Sequence, residues 1–123
     1  MAKVLVVDDA RVMRFHITKL LKELGHTVTA EAKDGFEAVE AYKKITPDLV
    51  TMDVEMPTSH DIVGGIGAVE ELIKLDPNVI IIMISSQTDR DHISEALKKG
   101  AKNFINKPIT AEKLYNMIKH LDL

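Results

Sequence analysis

Residues 3–25 read Lys3-Val4-Leu5-Val6-Val7-Asp8-Asp9-Ala10-Arg11-Val12-Met13-Arg14-Phe15-His16-Ile17-Thr18-Lys19-Leu20-Leu21-Lys22-Glu23-Leu24-Gly25. Val4 to Val7 is an unbroken aliphatic run rather than an alternating one, which predicts a strand buried on both faces. Behind it Met13, Ile17, Leu20, Leu21 and Leu24 recur at spacings of three and four, a single helical stripe with Lys19, Lys22 and Glu23 off it. Gly25 supplies a left-handed stop. A strand followed by a helix with one apolar stripe is the repeating half of a parallel sheet.

The same unit recurs along the chain. Strands are predicted at Val4 to Val7, Thr27 to Ala32, Asp48 to Met52, Val79 to Ile84, and Asn103 to Ile105. Helices are predicted after the first strand, over Phe36 to Lys44, in a segment ending near Leu75, over His92 to Lys99 closed by Gly100, and over Ala111 to Leu121 with Thr110 as N-cap. Five such units with right-handed crossovers give a doubly wound, five-stranded parallel sheet of flavodoxin-like type, order 2-1-3-4-5, with ligands expected beyond the carboxyl ends of the strands.

Composition narrows the function. The 123 residues carry a formal charge of −3, with 46% apolar and 28% charged residues, which fits one domain with a real core. A mildly acidic total argues against a general nucleic-acid or membrane-surface binder, which needs clustered positive charge. With no cysteine there is no disulfide framework, thiolate nucleophile or Cys-based zinc site, and the cytoplasm is the expected compartment. The apolar start is too short for a signal peptide. The five histidines lack ligand spacing and are expected in surface or capping roles.

Polar residues gather at the predicted strand ends: Asp8 and Asp9 after the first, Asp53 after the third, Ser85 and Ser86 after the fourth, and Asn106, Lys107 and Pro108 after the fifth. Three carboxylates held together repel one another and call for a cation. Mg²⁺ suits them, because it keeps several waters and takes few carboxylates together with phosphate oxygens. Lys107 adds an ammonium and Ser85 a hydroxyl, which completes the parts of a phosphoryl-transfer site. Asp53, alone at the central strand, is the expected nucleophile.

These stretches resemble the response-regulator receiver domains, and among them the stand-alone chemotaxis members. The resemblance is carried by Val6-Val7-Asp8-Asp9-Ala10 with Met13-Arg14, by Asp34-Gly35-Phe36-Glu37-Ala38-Val39, by Pro47 to Asp53 with Met56-Pro57, and by Ala96 to Ile105 with Lys107-Pro108. It implies a single receiver domain over residues 1–123 with no output domain. It further implies that Asp53 accepts a phosphoryl group from a histidine kinase, and that Mg²⁺, with Mn²⁺ as a substitute, is held by Asp8, Asp9, Asp53 and the backbone carbonyl of Glu55. Ser85 and Lys107 would bind the phosphoryl oxygens, with Ser85 and Phe104 as the switch pair and a cis bond before Pro108. The side chains of Glu55 and Gln87 would flank the phosphoryl group and tune its lifetime. Beyond self-phosphorylation and self-dephosphorylation, no enzyme activity is implied.

The segment after the phospho-acceptor departs from the family. Thr58 to Gly67 is about four residues longer than usual, breaks the Asp-Gly pair, and holds three glycines within four positions, which suggests a mobile loop at the mouth of the site. Ile109 replaces a common phenylalanine, for which a packing adjustment is expected.

Other readings are weaker. A phosphatase of the haloacid-dehalogenase kind also uses a strand-end aspartate, yet expects another aspartate two residues on and a capping insertion. A flavodoxin-like electron carrier would need hydroxyl and glycine groups where Asp8 and Asp9 stand. Within the receiver reading, the output is expected to be a monomer docking to a motor-switch or chemotaxis protein, with a phosphorelay shuttle to a histidine phosphotransfer protein as the alternative. Residues 98–123 carry six lysines against two acids, so the surface of the fourth helix, fifth strand and fifth helix is the expected docking face.

Overall fold

The computed structural model describes residues 1–86 and 90–123. The strands are β1 (Lys3–Val7), β2 (Thr27–Ala32), β3 (Leu49–Asp53), β4 (Ile81–Ser85) and β5 (Asn103–Asn106). They alternate with α1 (Arg11–Glu23), α2 (Gly35–Ile45), α3 (Gly64–Leu75), α4 (Arg90–Lys99) and α5 (Ala111–Ile118). All pairings are parallel and the order is β2-β1-β3-β4-β5, as the sequence predicts.

The alternation of side chains along each strand builds two cores. Leu5, Val7, Val50, Met52, Ile81 and Met83 meet Ala38, Tyr42, Val69, Leu72 and Ala96, which lie on α2, α3 and α4. Val4, Val6, Leu49, Ile82, Ile84 and Ile105 meet Ile17, Leu21, Leu114 and Ile118 of α1 and α5. Every residue of β3 and β4 is buried, which is why these strands read as continuous apolar runs. On the first face the Tyr42 hydroxyl donates to Asp76 at 2.7 Å and ties α2 to the end of α3.

Register places the chemistry. Val7 pairs with Met52, Asp53 with Ile84, and Ser85 with Asn106, so β1, β3, β4 and β5 end at one level. Several boundaries shift by a residue or two; the largest shifts are at β4, which starts at Ile81 rather than Val79, at α4, which starts at Arg90 rather than His92, and at α5, which ends at Ile118 rather than Leu121.

The larger correction concerns the glycine-rich segment. Gly64, Gly65 and Gly67 lie inside the first turn of α3, and Ser59 and Ile62 form an antiparallel bridge, so Thr58 to Gly67 is folded rather than a mobile loop. Tertiary packing overrides the low helix propensity of glycine. The helix start presses against the end of β3: the Gly65 amide donates to the Val54 carbonyl at 3.0 Å, and a Cβ at Gly65 would collide with the Asp53 carbonyl oxygen. Gly67 has only ordinary van der Waals neighbours.

These two glycines are therefore expected to respond oppositely to alanine in denaturant unfolding. Gly65→Ala should cost about 1–3 kcal/mol by overpacking, whereas Gly67→Ala should gain up to about 1 kcal/mol from helix propensity. Equal effects would contradict the close approach of α3 to β3.

Candidate functional site

The loop after β1 turns sharply because the Asp8 carboxylate accepts the Ala10 amide at 2.8 Å, leaving Asp9 exposed beside it. Arg14, one turn into α1, donates to the Asp8 backbone carbonyl at 2.8 Å and to Glu31 of β2 at 3.1 Å, clamping this loop to the sheet. Asp53 ends the central strand with its carboxylate almost wholly buried. Carboxylate oxygens of Asp8, Asp9 and Asp53 lie within 4.8 Å of one another, the one such acidic group among the described residues.

Lys107 reaches this group from the loop that follows β5, its Nζ 3.5 Å from Asp53 Oδ1. Its loop is held from several sides. The Lys107 amide donates to the Ser85 carbonyl at 2.8 Å, and the Lys107–Pro108 bond is cis, as the resemblance implies. Lys113 donates to the carbonyls of Asn106 and Pro108 at 3.0 and 2.9 Å, and His16 of α1 donates from Nε2 to the Ile109 carbonyl at 2.8 Å. Ile109 is buried in the second core, consistent with a packing adjustment.

One lysine supplies less than three carboxylates require. Burial, then the charge of Asp8, pushes the Asp53 carboxyl up to about 7, against the opposing pull of Lys107. Burial likewise raises Asp8, despite its Ala10 hydrogen bond. Asp8 Oδ2 is buried without a hydrogen-bond partner among the described residues. An orphaned carboxylate oxygen facing two more acids fits a hard divalent cation.

Ser85 and Phe104, the pair that the resemblance implies as a switch, are placed differently from one another. Ser85 is fully buried, and its hydroxyl donates to the Asn106 side chain at 3.1 Å, so it is engaged across β4 and β5 rather than with the carboxylates. Phe104 is half-buried, packs on the first core, and lines a cleft with Arg90, Ile93, Ser94 and Leu97 of α4. Glu55 is exposed at the site mouth, and Gln87 lies outside the described residues. Of the lysines expected on the docking face, Lys113 is tied to the β5–α5 loop, and Lys99 pairs with Glu70 at 3.5 Å. Sequence reasoning did not find the supporting roles of Arg14, His16, Asn106 and Lys113. Only Arg14 had a local signal, its place in the matched motif one helical turn beyond Asp9.

The comparisons agree with this geometry. The family model described as response regulator receiver domain matches residues 4–119. The chemotaxis protein CheY of Thermotoga maritima is 45% identical over 106 residues, covering 86% of this chain and 85% of the relative. That of Bacillus subtilis is 41% identical over 116 residues, covering 94% and 93%. Among solved structures, the CheX-CheY-BeF3-Mg²⁺ complex from Borrelia burgdorferi superposes with a TM-score of 0.86 at 33% identity, covering 94% of this chain and 85% of that one. A strand-end aspartate beside an acidic pair and a lysine, on this sheet order and with these relatives, has one family assignment: the chain belongs to the response regulator receiver domains.

Proposed function

We propose that Asp53 takes a phosphoryl group from the phosphohistidine of a histidine kinase, and that the modified chain then binds a downstream protein of a chemotaxis pathway more tightly. The observation that carries this reading is the juxtaposition of Asp53 with Asp8, Asp9 and Lys107 at the end of the central strand. Asp8, Asp9, Asp53 and the Glu55 carbonyl would hold Mg²⁺, which supplies the positive charge that three carboxylates and a phosphoryl group need. An Asp53 carboxylate oxygen attacks phosphorus while the bond to the kinase imidazole breaks, and Lys107 balances charge on the transferring oxygens.

The modified side chain carries roughly 1.5 to 2 negative charges and strong acceptor oxygens. These compete with Asn106 for the Ser85 hydroxyl, and the space so released is available to the Phe104 ring, which reshapes the face of α4, β5 and α5. Partner binding and phosphorylation then favour each other by linkage. The chemotaxis setting is supported by the CheY relatives. The Glu55 carboxylate, at the site mouth, is proposed to set how readily water reaches the phosphoryl group, and the resemblance assigns the same role to Gln87.

In acetyl phosphate with Mg²⁺, wild type is expected to gain a phosphoryl group detectable by intact-protein mass, and Asp53→Asn to gain none, since an amide is not a carboxylate nucleophile. Undiminished labelling of Asp53→Asn would overturn the assignment.

The raised Asp53 value also fixes the sign of a stability effect. The folded chain holds this proton more tightly than the unfolded chain, so stability is greatest below the ordinary carboxylate value of 3.8 and falls as pH rises toward about 7. Without metal, Asp53→Asn is therefore expected to be more stable than wild type near pH 8, on the order of 2–4 kcal/mol, with the gap closing toward pH 4. Chemical unfolding at the two pH values checks this, and an equal stability near pH 8 would contradict it.

A further inference from the structure

The Ser85 hydroxyl makes one hydrogen bond among the described residues, and it goes to a side chain outside the acidic group: Oγ donates to Asn106 Oδ1 at 3.1 Å. Ser85 and Asn106 are register partners at the ends of β4 and β5, as Met83 and Phe104 are two residues earlier. All four side chains therefore leave the sheet on the face of the first core. Ser85 is fully buried, so its hydroxyl without an acceptor would carry a desolvation penalty. Asn106 is exposed, and it lines the cleft that Phe104 shares with Arg90, Ile93, Ser94 and Leu97. One residue thus meets the buried hydroxyl on one side and the cleft of α4 and β5 on the other.

This bond is not what joins the two strand ends. The Lys107 amide donates to the Ser85 carbonyl at 2.8 Å, and Lys113 holds the carbonyls of Asn106 and Pro108 at 3.0 and 2.9 Å. All three restraints end on backbone carbonyls, and none uses the Asn106 side chain. What remains for the Asn106 carboxamide is its bond with Ser85.

We infer that Asn106 is a latch on the phosphoryl site: its Oδ1 holds the Ser85 hydroxyl in the unmodified protein and thereby sets how tightly the site takes up a phosphoryl group. The inference rests on the proposed function, in which that hydroxyl turns to a phosphoryl oxygen. Turning breaks the bond to Asn106, so the bond stabilises the unmodified chain alone. A contact present in one of two states shifts their equilibrium by its own free energy, and a ligand that selects the other state loses affinity by the same factor. With no acceptor at position 106, the buried hydroxyl gains its partner only when phosphoryl oxygens arrive, and uptake is favoured. Asn106 touches no phosphoryl oxygen; it is a positioning residue that acts through Ser85.

Beryllofluoride, as a phosphoryl mimic, provides the test. Its affinity for the full chain in saturating MgCl2 is followed by the amide resonances of Asp53 and Val54 in wild type, Asn106→Val, Asn106→Ala, Ser85→Ala and the double variant Ser85→Ala with Asn106→Val. Affinity for MgCl2 alone is measured alongside. Removing the acceptor is expected to tighten beryllofluoride roughly three- to tenfold, the factor for one hydrogen bond, and to leave Mg²⁺ affinity as in wild type. In the Ser85→Ala background, Asn106→Val is expected to change beryllofluoride affinity no further, because the two side chains act as one coupled pair. Unchanged or weaker beryllofluoride binding in both Asn106→Val and Asn106→Ala would overturn the inference, as would an effect of the same size in the Ser85→Ala background. A wild type that takes up no beryllofluoride at Asp53 would instead overturn the reading of the site, and the inference with it.

Discussion

Mutual repulsion of three carboxylates held at the ends of β1 and β3 is the constraint around which this molecule is arranged. Asp8, Asp9 and Asp53 bring oxygens within 4.8 Å of each other, two of them on buried residues, and Lys107 offsets only part of that charge. Burial of the Asp53 carboxylate, and after it the charge of Asp8, pushes Asp53 up to about 7. The rest of the fold keeps the carboxylates from moving apart: Arg14 fastens the Asp8 carbonyl to β2, while His16 and Lys113 fasten the carbonyls around Lys107. Such a site is poor in stability and rich in affinity for positive charge and for the phosphoryl group that accompanies it.

The features of the site that were legible in sequence are those set by local pattern. Unbroken runs such as Val4 to Val7 and Val79 to Ile84 read as strands buried on both faces, and the polar residue that ends each run marks the carboxyl edge of the sheet. Asp8, Asp9, Asp53, Ser85 and Lys107 were found in this way, because parallel strands in register bring their final residues to one level.

What sequence did not reveal depends on contacts between distant segments. Three glycines at the start of α3 look helix-breaking along the chain, yet Gly65 is there because no Cβ fits against the Asp53 carbonyl. His60 and Asp61 lack the Asn-Gly signature of the turn they make, and the Phe36 ring and amide that hold this turn lie on another element. Nor does the sequence show that, in the unmodified protein, the Ser85 hydroxyl donates to the Asn106 side chain of the neighbouring strand. That bond joins the end of β4 to β5, where Phe104 packs two residues earlier.

One cation and one phosphoryl group are proposed to share the pocket formed by Asp8, Asp9, Asp53 and Lys107. Anomalous diffraction from crystals grown with Mn²⁺ and beryllofluoride tests it most directly. The expected result is a single strong Mn²⁺ peak among Asp8, Asp9 and Asp53, with the fluoride adduct on an Asp53 oxygen and a fluorine beside Lys107. A Mn²⁺ peak away from these carboxylates, or an adduct on any other side chain, would contradict it.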